Sequence, residues 1–440
     1  MISILKNIQL FSFIIILPSL IFVGFFPDFF LSLTSLLFII ISVIEKDFRL
    51  YRSKIFIILI IWNIYLIFVS LFSQNIILSL ESSLFYFRFA VFIIATQYIL
   101  ENNKNVFKYL LISIQLSFLF LIIDSFIQYF YGKNILGYPY LGDRISSFFK
   151  DELILGSYLS RLVPLLFALT IIVYGKKLIP YLLCLSTLVF IDVLVFLSGE
   201  RTAFFNLFLF TIILIILSNN FKILRIITLI FSISILSFIT INNLEIKQRM
   251  IDKTINQTNI SSLDIFTDNQ NDNFQTHSQQ DNYDIVRFFS SEHQLLFSTA
   301  IEIFKDNPII GIGPKLYRHY CKDEKYYKEI HRQDTGKMNN CSTHPHNTYL
   351  QLISETGIIG TLPIIIIFIL ILYKFSNHLI SKIFTKKQKL TDIEIMFLSA
   401  FLITLWPFYP TGNFFNNWLS IIYYFPIGIY LHLKNKSFNK

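Results

Sequence analysis

Apolar stretches of roughly twenty residues recur along the chain, separated by short polar turns. About 30 Å of hydrocarbon needs about 20 helical residues, so each stretch predicts a membrane-crossing helix. Twelve are read, at 8–26, 29–44, 54–73, 83–100, 106–130, 153–174, 178–198, 202–218, 222–241, 357–374, 391–409 and 414–433. The first has no small-residue cleavage site after it and is taken as a retained span. The pattern breaks once, over residues 243–345. Residues 252–284 of that loop are rich in Asn, Gln, Asp, Ser and Thr and predict an irregular segment. From Tyr283 to Asp306 the spacing of Phe288, Leu295, Leu296, Ala300, Ile303 and Phe304 predicts an amphipathic helix, stopped by Asp306-Asn307-Pro308 and followed by a tight turn at Gly311-Ile312-Gly313-Pro314. A short interfacial helix is expected after Pro345, with Thr343 or His344 at its cap, and with Asn347, Gln351 and Glu355 on one polar face. The expected architecture is an all-α polytopic membrane protein. Nine helices occupy 1–242, one large loop 243–345, and an interfacial helix with three spans 346–440.

Composition supports this class. The 440-residue chain is 54% hydrophobic and 15% charged, with a mean hydropathy of +0.60, which excludes an ordinary soluble enzyme. Lys and Arg accumulate in alternate loops: Lys46, Arg49, Arg52 and Lys54; Lys104 and Lys108; Lys176 and Lys177; Lys222 and Arg225; the Lys374–Lys389 region; and the C-terminus. Such loops face the cytoplasm, so the 243–345 loop is expected on the opposite, outer side of the membrane. Lys133, Arg144 and Lys150 are the exceptions. The net charge of +9 is therefore a topology signal. Scattered over cytoplasmic loops, it gives no basic face for nucleic acid.

Five ionisable residues fall inside expected spans or, for Arg201, at the outer tip of one: Arg88, Asp124, Arg161, Asp192 and Arg201. Groups of this kind are costly there and mark function by default. All five lie in the outer halves of their helices, which predicts one cationic cavity open to the outside. Guanidinium groups suit a phosphate or diphosphate because their fork donates paired hydrogen bonds. The competing reading is interhelical pairing, for instance Arg161 with Asp192. Of the three cysteines, Cys184 lies in an apolar span as packing, while Cys321 and Cys341 share the outer loop. A disulfide there would stabilise the loop by roughly 3 kcal/mol. Two free thiols, or a metal site with His344 and His346, are the alternatives.

Near the end of the loop, His344-Pro345-His346-Asn347-Thr348-Tyr349-Leu350-Gln351 precedes Glu355-Thr356-Gly357-Ile358-Ile359-Gly360. This run, with Asn307-Pro308-Ile309-Ile310-Gly311-Ile312-Gly313-Pro314 before it, resembles the signature of the O-antigen ligase and polymerase family of bacterial membrane proteins. Leu197-Ser198-Gly199-Glu200-Arg201-Thr202-Ala203 is similar to that family's outer Arg motif, and the likeness extends over about 140–375. The resemblance implies a membrane C-type fold and a metal-independent, inverting glycosyltransferase without cofactor. It would move a glycan from undecaprenyl diphosphate to an acceptor sugar, lipid A–core in the ligases. By the same carry-over His346 activates the acceptor hydroxyl and Arg201 engages the diphosphate. Family ligases place an Arg before the Gly-Ile-Gly-Pro run. Here His293 stands at that distance, and the nearest Arg is Arg287.

The residue chemistry is compatible. A glycosyl diphosphate needs cations for its leaving group and a base for the incoming hydroxyl, work suited to a neutral imidazole. His346, Arg201 and Arg287 are the catalytic candidates. Arg88, Arg161, His344, Asn347 and Glu355 are the substrate-binding candidates, and no metal ligands are expected. A repeat-unit polymerase is the near alternative. A polysaccharide or lipid transporter is the remoter one, disfavoured by the absence of an internal repeat.

Overall fold

The computed structural model describes residues 1–252, 289–332 and 336–438, apart from Val23 and Lys176. All twelve expected spans form helices: Ile2–Ser19, Phe25–Glu45, Lys54–Leu71, Phe87–Asn102, Val106–Tyr131, Leu155–Tyr174, Leu178–Leu197, Arg201–Leu217, Lys222–Asn242, Thr348–Ile380, Asp392–Thr404 and Asn417–Phe438. Among the described residues, eight helical stretches are long and apolar enough to cross a membrane. The chain is an all-α polytopic membrane protein. The fourth expected span gains an extra short helix, Ile76–Ser83, capped by the Asn75 side chain on the Leu78 amide at 3.2 Å.

The core runs through the middle of the bundle. Phe13 stacks on Phe425 with ring centroids 5.1 Å apart, and Phe89 on Tyr424 at 5.0 Å, so the last helix is wedged between the N-terminal helix and Phe87–Asn102. Helix Leu155–Tyr174 is buried along most of its length between Val106–Tyr131, the apolar helix Arg201–Leu217 and Asp392–Thr404. By contrast Lys222–Asn242 turns Ile223, Ile230 and Phe238 outward, the surface of a helix that meets lipid.

The polar loop is a small folded unit. The amphipathic helix spans Ser291–Asp306 and buries Leu296, Ala300 and Ile303 against Ile312, Leu316, Tyr317 and Tyr326. It begins later than the spacing suggested, because the Ser290 hydroxyl caps it; residues 283–288, including Phe288, lie outside the described part. An antiparallel hairpin pairs Glu329–Arg332 with Gly336–Asn339. Cys321 and Cys341 are joined by a disulfide with Cα atoms 5.2 Å apart. With both sulfurs so engaged, the alternative of a Cys/His metal site loses its thiolates.

The two glycine-bearing motifs find their reason in one junction. Helix Thr348–Ile380 is broken at Gly357 (φ +63°, ψ −172°), which separates the expected interfacial helix from the span after it. Against the break packs the turn at Gly311 (φ +72°), where a Cβ would meet the Glu355 carbonyl carbon at 2.5 Å. The Ile312 and Gly313 amides donate to the Ser354 and Glu355 carbonyls at 3.1 and 2.8 Å, and the Ile358 amide to the Pro308 carbonyl at 2.9 Å. Backbone meets backbone, so a side chain has no room on either partner. The run Asn307–Pro314 thus latches the loop onto the helix that follows the His motif.

Candidate active site

At the end of the bundle that carries the loop, a cavity of about 1270 Å³ opens. Its walls come from the turn after the first helix (Gly24, Phe25, Asp28), the connection before Leu155 (Arg144, Glu152, Ile154), the start of the Leu155–Tyr174 helix (Ser157, Arg161) and the turn Gly199–Thr202. Phe205, Arg249, the start of the loop helix (Phe289, Ser290, His293), Arg318, Thr343, His344 and residues 408–413 and 416–419 complete it. All these segments are connections on one side of the bundle, opposite the Lys-rich loops. Five arginines face three carboxylates, Asp28, Glu152 and Glu200.

The arginines differ in what holds them. Arg161 is 5% exposed, and its Nε has no hydrogen-bond partner among the described residues. The Arg318 Nε is likewise unpartnered. Arg144 donates to the Ser198 and Leu153 carbonyls, both at 3.1 Å. Arg249 pairs with Asp143 at 2.8 Å and donates to the Gly199 carbonyl at 3.1 Å. Arg201 opens its helix and stands exposed at the cavity wall. Glu200 is directed elsewhere: its carboxylate accepts from the Gly156 amide at 2.6 Å and the Ser157 hydroxyl at 2.6 Å, capping the Leu155–Tyr174 helix. A buried guanidinium nitrogen without a partner is costly, and Arg161 Nε is such a donor, with capacity left at the cavity wall.

Three imidazoles meet at the loop side: His293 and His344 line the cavity, and His346 packs against both of them without being one of the lining residues. His346 lies 4.1 Å from His344 and 5.8 Å from His293 between ring centroids. His346 takes a left-handed backbone (φ +52°), and its carbonyl accepts from the Thr411 amide at 2.7 Å. Its Nε2 is 3.2 Å from the Ser342 hydroxyl. His344 is committed at both nitrogens, to Thr343 Oγ1 at 3.0 Å and the Thr411 carbonyl at 3.3 Å. Burial lowers the affinity of all three for a proton. It takes His344 to about 3, helped by His346, and His293 to about 4, helped by His346 and Arg201. His346 is lowered by burial, with Glu292 opposing. At neutral pH the cluster is uncharged, the state in which an imidazole accepts a proton.

Several expected site residues lie elsewhere. Arg88 does not line the cavity: it donates to Asp28 at 2.9 Å, the Asn417 side chain at 2.8 Å and the Phe85 carbonyl at 3.0 Å. It fixes two wall residues, Asp28 and Asn417, without facing the space itself. Asn347 caps helix Thr348–Ile380 on the Tyr349 and Leu350 amides and donates to the Pro407 carbonyl at 2.8 Å. Glu355 is fully buried, accepting from Gln351 at 3.0 Å and from the Tyr317 amide at 3.3 Å. Asn347 and Glu355 therefore tie the His motif to residues 407–414 and to the loop rather than reach the cavity. Arg287 falls outside the described residues. Its expected place is lined by His293.

The single cavity for all five intramembrane charges also needs correction. Asp124 accepts from Asn134, the Ile135 amide and Ser147, holding the 134–147 connection. Asp192 pairs not with Arg161 but with Arg225, at 2.7 and 3.0 Å, with Thr211 and Ser232 closing the cluster. Arg225 counts with Lys222 among the basic residues of an inner connection, but its long side chain carries its charge into the bundle to Asp192. Arg144, Arg249 and Arg318 were not read as site residues. Arg144 had left a signal, as a basic residue breaking the loop-charge rule.

The family described as O-antigen ligase matches residues 182–365. That segment covers Arg201, His293, the Gly-Ile-Gly-Pro turn and the whole His motif, in agreement with the resemblance carried by those residues. No curated protein matches the chain.

Proposed function

We propose that this chain, whose residues 182–365 form an O-antigen ligase family segment, transfers a glycan from undecaprenyl diphosphate to an acceptor sugar at the periplasmic face of the inner membrane, with lipid A–core as acceptor. The observation that carries the reading is one large cavity lined both by Arg161, whose buried Nε is unpartnered, and by His293 and His344, the two neutral imidazoles that pack against His346. Arg161, Arg201 and Arg318 receive the diphosphate, whose charge grows as the bond to C1 breaks. His346 takes the proton of the acceptor hydroxyl as that oxygen attacks C1 from the opposite face. One displacement gives inversion. His344, bonded at both nitrogens, orients His346, and no metal step is required.

The test is transfer in detergent from a purified undecaprenyl-linked donor, with and without chelator, against candidate acceptors. Product in the wild type, and none with His346→Ala at equal protein, supports the reading; undiminished product from His346→Ala removes the base. Lipopolysaccharide ladders of a deletion strain separate ligase from polymerase. Bare core marks the ligase, and single-repeat bands mark the polymerase.

A further inference from the structure

The mechanism above leaves one wall residue without work. His293 sits in the first turn of helix Ser291–Asp306 and lines the cavity, with its ring nearly perpendicular to that of His346 (83°). Its Nδ1 lies 2.6 Å from the Ser290 hydroxyl. That hydroxyl already accepts the His293 backbone amide as the helix cap, at 3.5 Å. A hydroxyl has one proton and two lone pairs, so the Ser290 oxygen can serve the amide and still give its proton to Nδ1. That pairing corresponds to the tautomer with the ring's own hydrogen on Nε2, the form that a phosphoryl oxygen meeting Nε2 selects, since such an oxygen only accepts.

The surroundings keep that ring neutral. Burial above all, then His346 and Arg201, disfavours an imidazolium, and the positive end of the helix acts in the same direction. Glu292, the adjacent carboxylate, is exposed and acts on His346. The result is an uncharged N–H donor beside the base.

Resting on the proposed transfer reaction, we infer that His293 is a further catalytic residue whose neutral Nε2–H donates to the phosphoryl oxygen that leaves C1, opposite the hydroxyl that His346 deprotonates. The bond from C1 to that oxygen breaks and its electron pair stays on the phosphate. The new bond joins the acceptor oxygen to C1, and the acceptor proton ends on His346. No proton leaves His293; it stabilises growing charge by a hydrogen bond. Neutrality matters because His346 becomes positive in the transition state. A cation 5.8 Å away would oppose that charge, whereas a neutral donor does not.

Three variants in the donor-transfer assay test this. His293→Ala should lower kcat on the order of 10²-fold, the scale of one lost oxyanion donor, with the donor KM changed less. His293→Gln, whose amide nitrogen reproduces the Nε2 donor, should restore most of the rate. His293→Arg should move the acid limb of the pH–rate profile to lower pH, since a fixed cation lowers the proton affinity of His346. Wild-type rates in His293→Ala, or a Gln variant as slow as Ala at equal folded protein, would overturn the role of His293 and leave His346 untouched. Loss of activity in His346→Ala in the same assay keeps the underlying reading separate from this one.

Discussion

Two arginines inside the apolar bundle have opposite fates. Arg225 is 3% exposed at its side chain and spends its fork on protein: both Asp192 oxygens, Thr211 and Thr228. Arg161 is as deeply set but keeps an unpartnered Nε at the wall of the large cavity. One charge is neutralised within the protein; the other is left with capacity for a ligand. Intramembrane charge is therefore no marker of function until its partners are known. The default that such residues are functional holds for the second and fails for the first.

The largest expected effect lies on the cavity side. His346→Ala should lower transfer by about 10³-fold, within the usual span for a general base, while membrane insertion and thermal melting stay near wild type. Arg161→Ala should follow at about 10²-fold with the same unchanged melting. If Arg161→Ala instead unfolds the protein and leaves the specific activity of the folded fraction intact, Arg161 is a structural ion like Arg225.

On the other side, Asp192→Ala leaves the Arg225 guanidinium buried and uncompensated. Removing one partner of a buried pair costs about 3–5 kcal/mol, so detergent melting should drop sharply with specific activity retained. Asp192→Leu combined with Arg225→Met should recover most of that stability. A double variant as unstable as the single one would show that the pair does more than satisfy itself. A smaller loss is expected for Cys321→Ser, about 3 kcal/mol for a twenty-residue closure. It should be read as earlier proteolysis of the loop unit.

The mildest effect is in pH. His293 and His344 have folded-state proton affinities pushed below the ordinary value of 6.5, to about 4 and about 3. Protonation thus favours the unfolded loop. Their contribution is complete above about 6.5 and is lost as pH falls through 6.5 toward 4, so melting temperature should decline in that window. His293→Gln should make the decline shallower.

Where backbone length and polarity decide, the chain was readable: a stretch such as Leu155–Tyr174 has no alternative to crossing lipid as a helix, because its peptide groups must bond to one another. The break at Gly357 was also foreshadowed, since an interfacial helix and a span were read on its two sides. Reach and partnership were not readable. Arg225 looks like any loop-proximal cation until the packing of three helices brings Asp192 within its length. Arg249 and Arg318, among polar neighbours, carry no local sign of the cavity they line. His293 appeared only as a departure from a pattern.

The sequence by itself determined the class, the helices, the loop and the His motif, because hydrophobic length, turn residues and glycine conformations act locally along the chain. Only the tertiary structure decided which charges neutralise one another and which remain to meet a ligand. That outcome depends on distances of a few ångströms between residues 33 to 106 positions apart, and Coulomb and hydrogen-bond energies in an apolar interior change steeply over such distances.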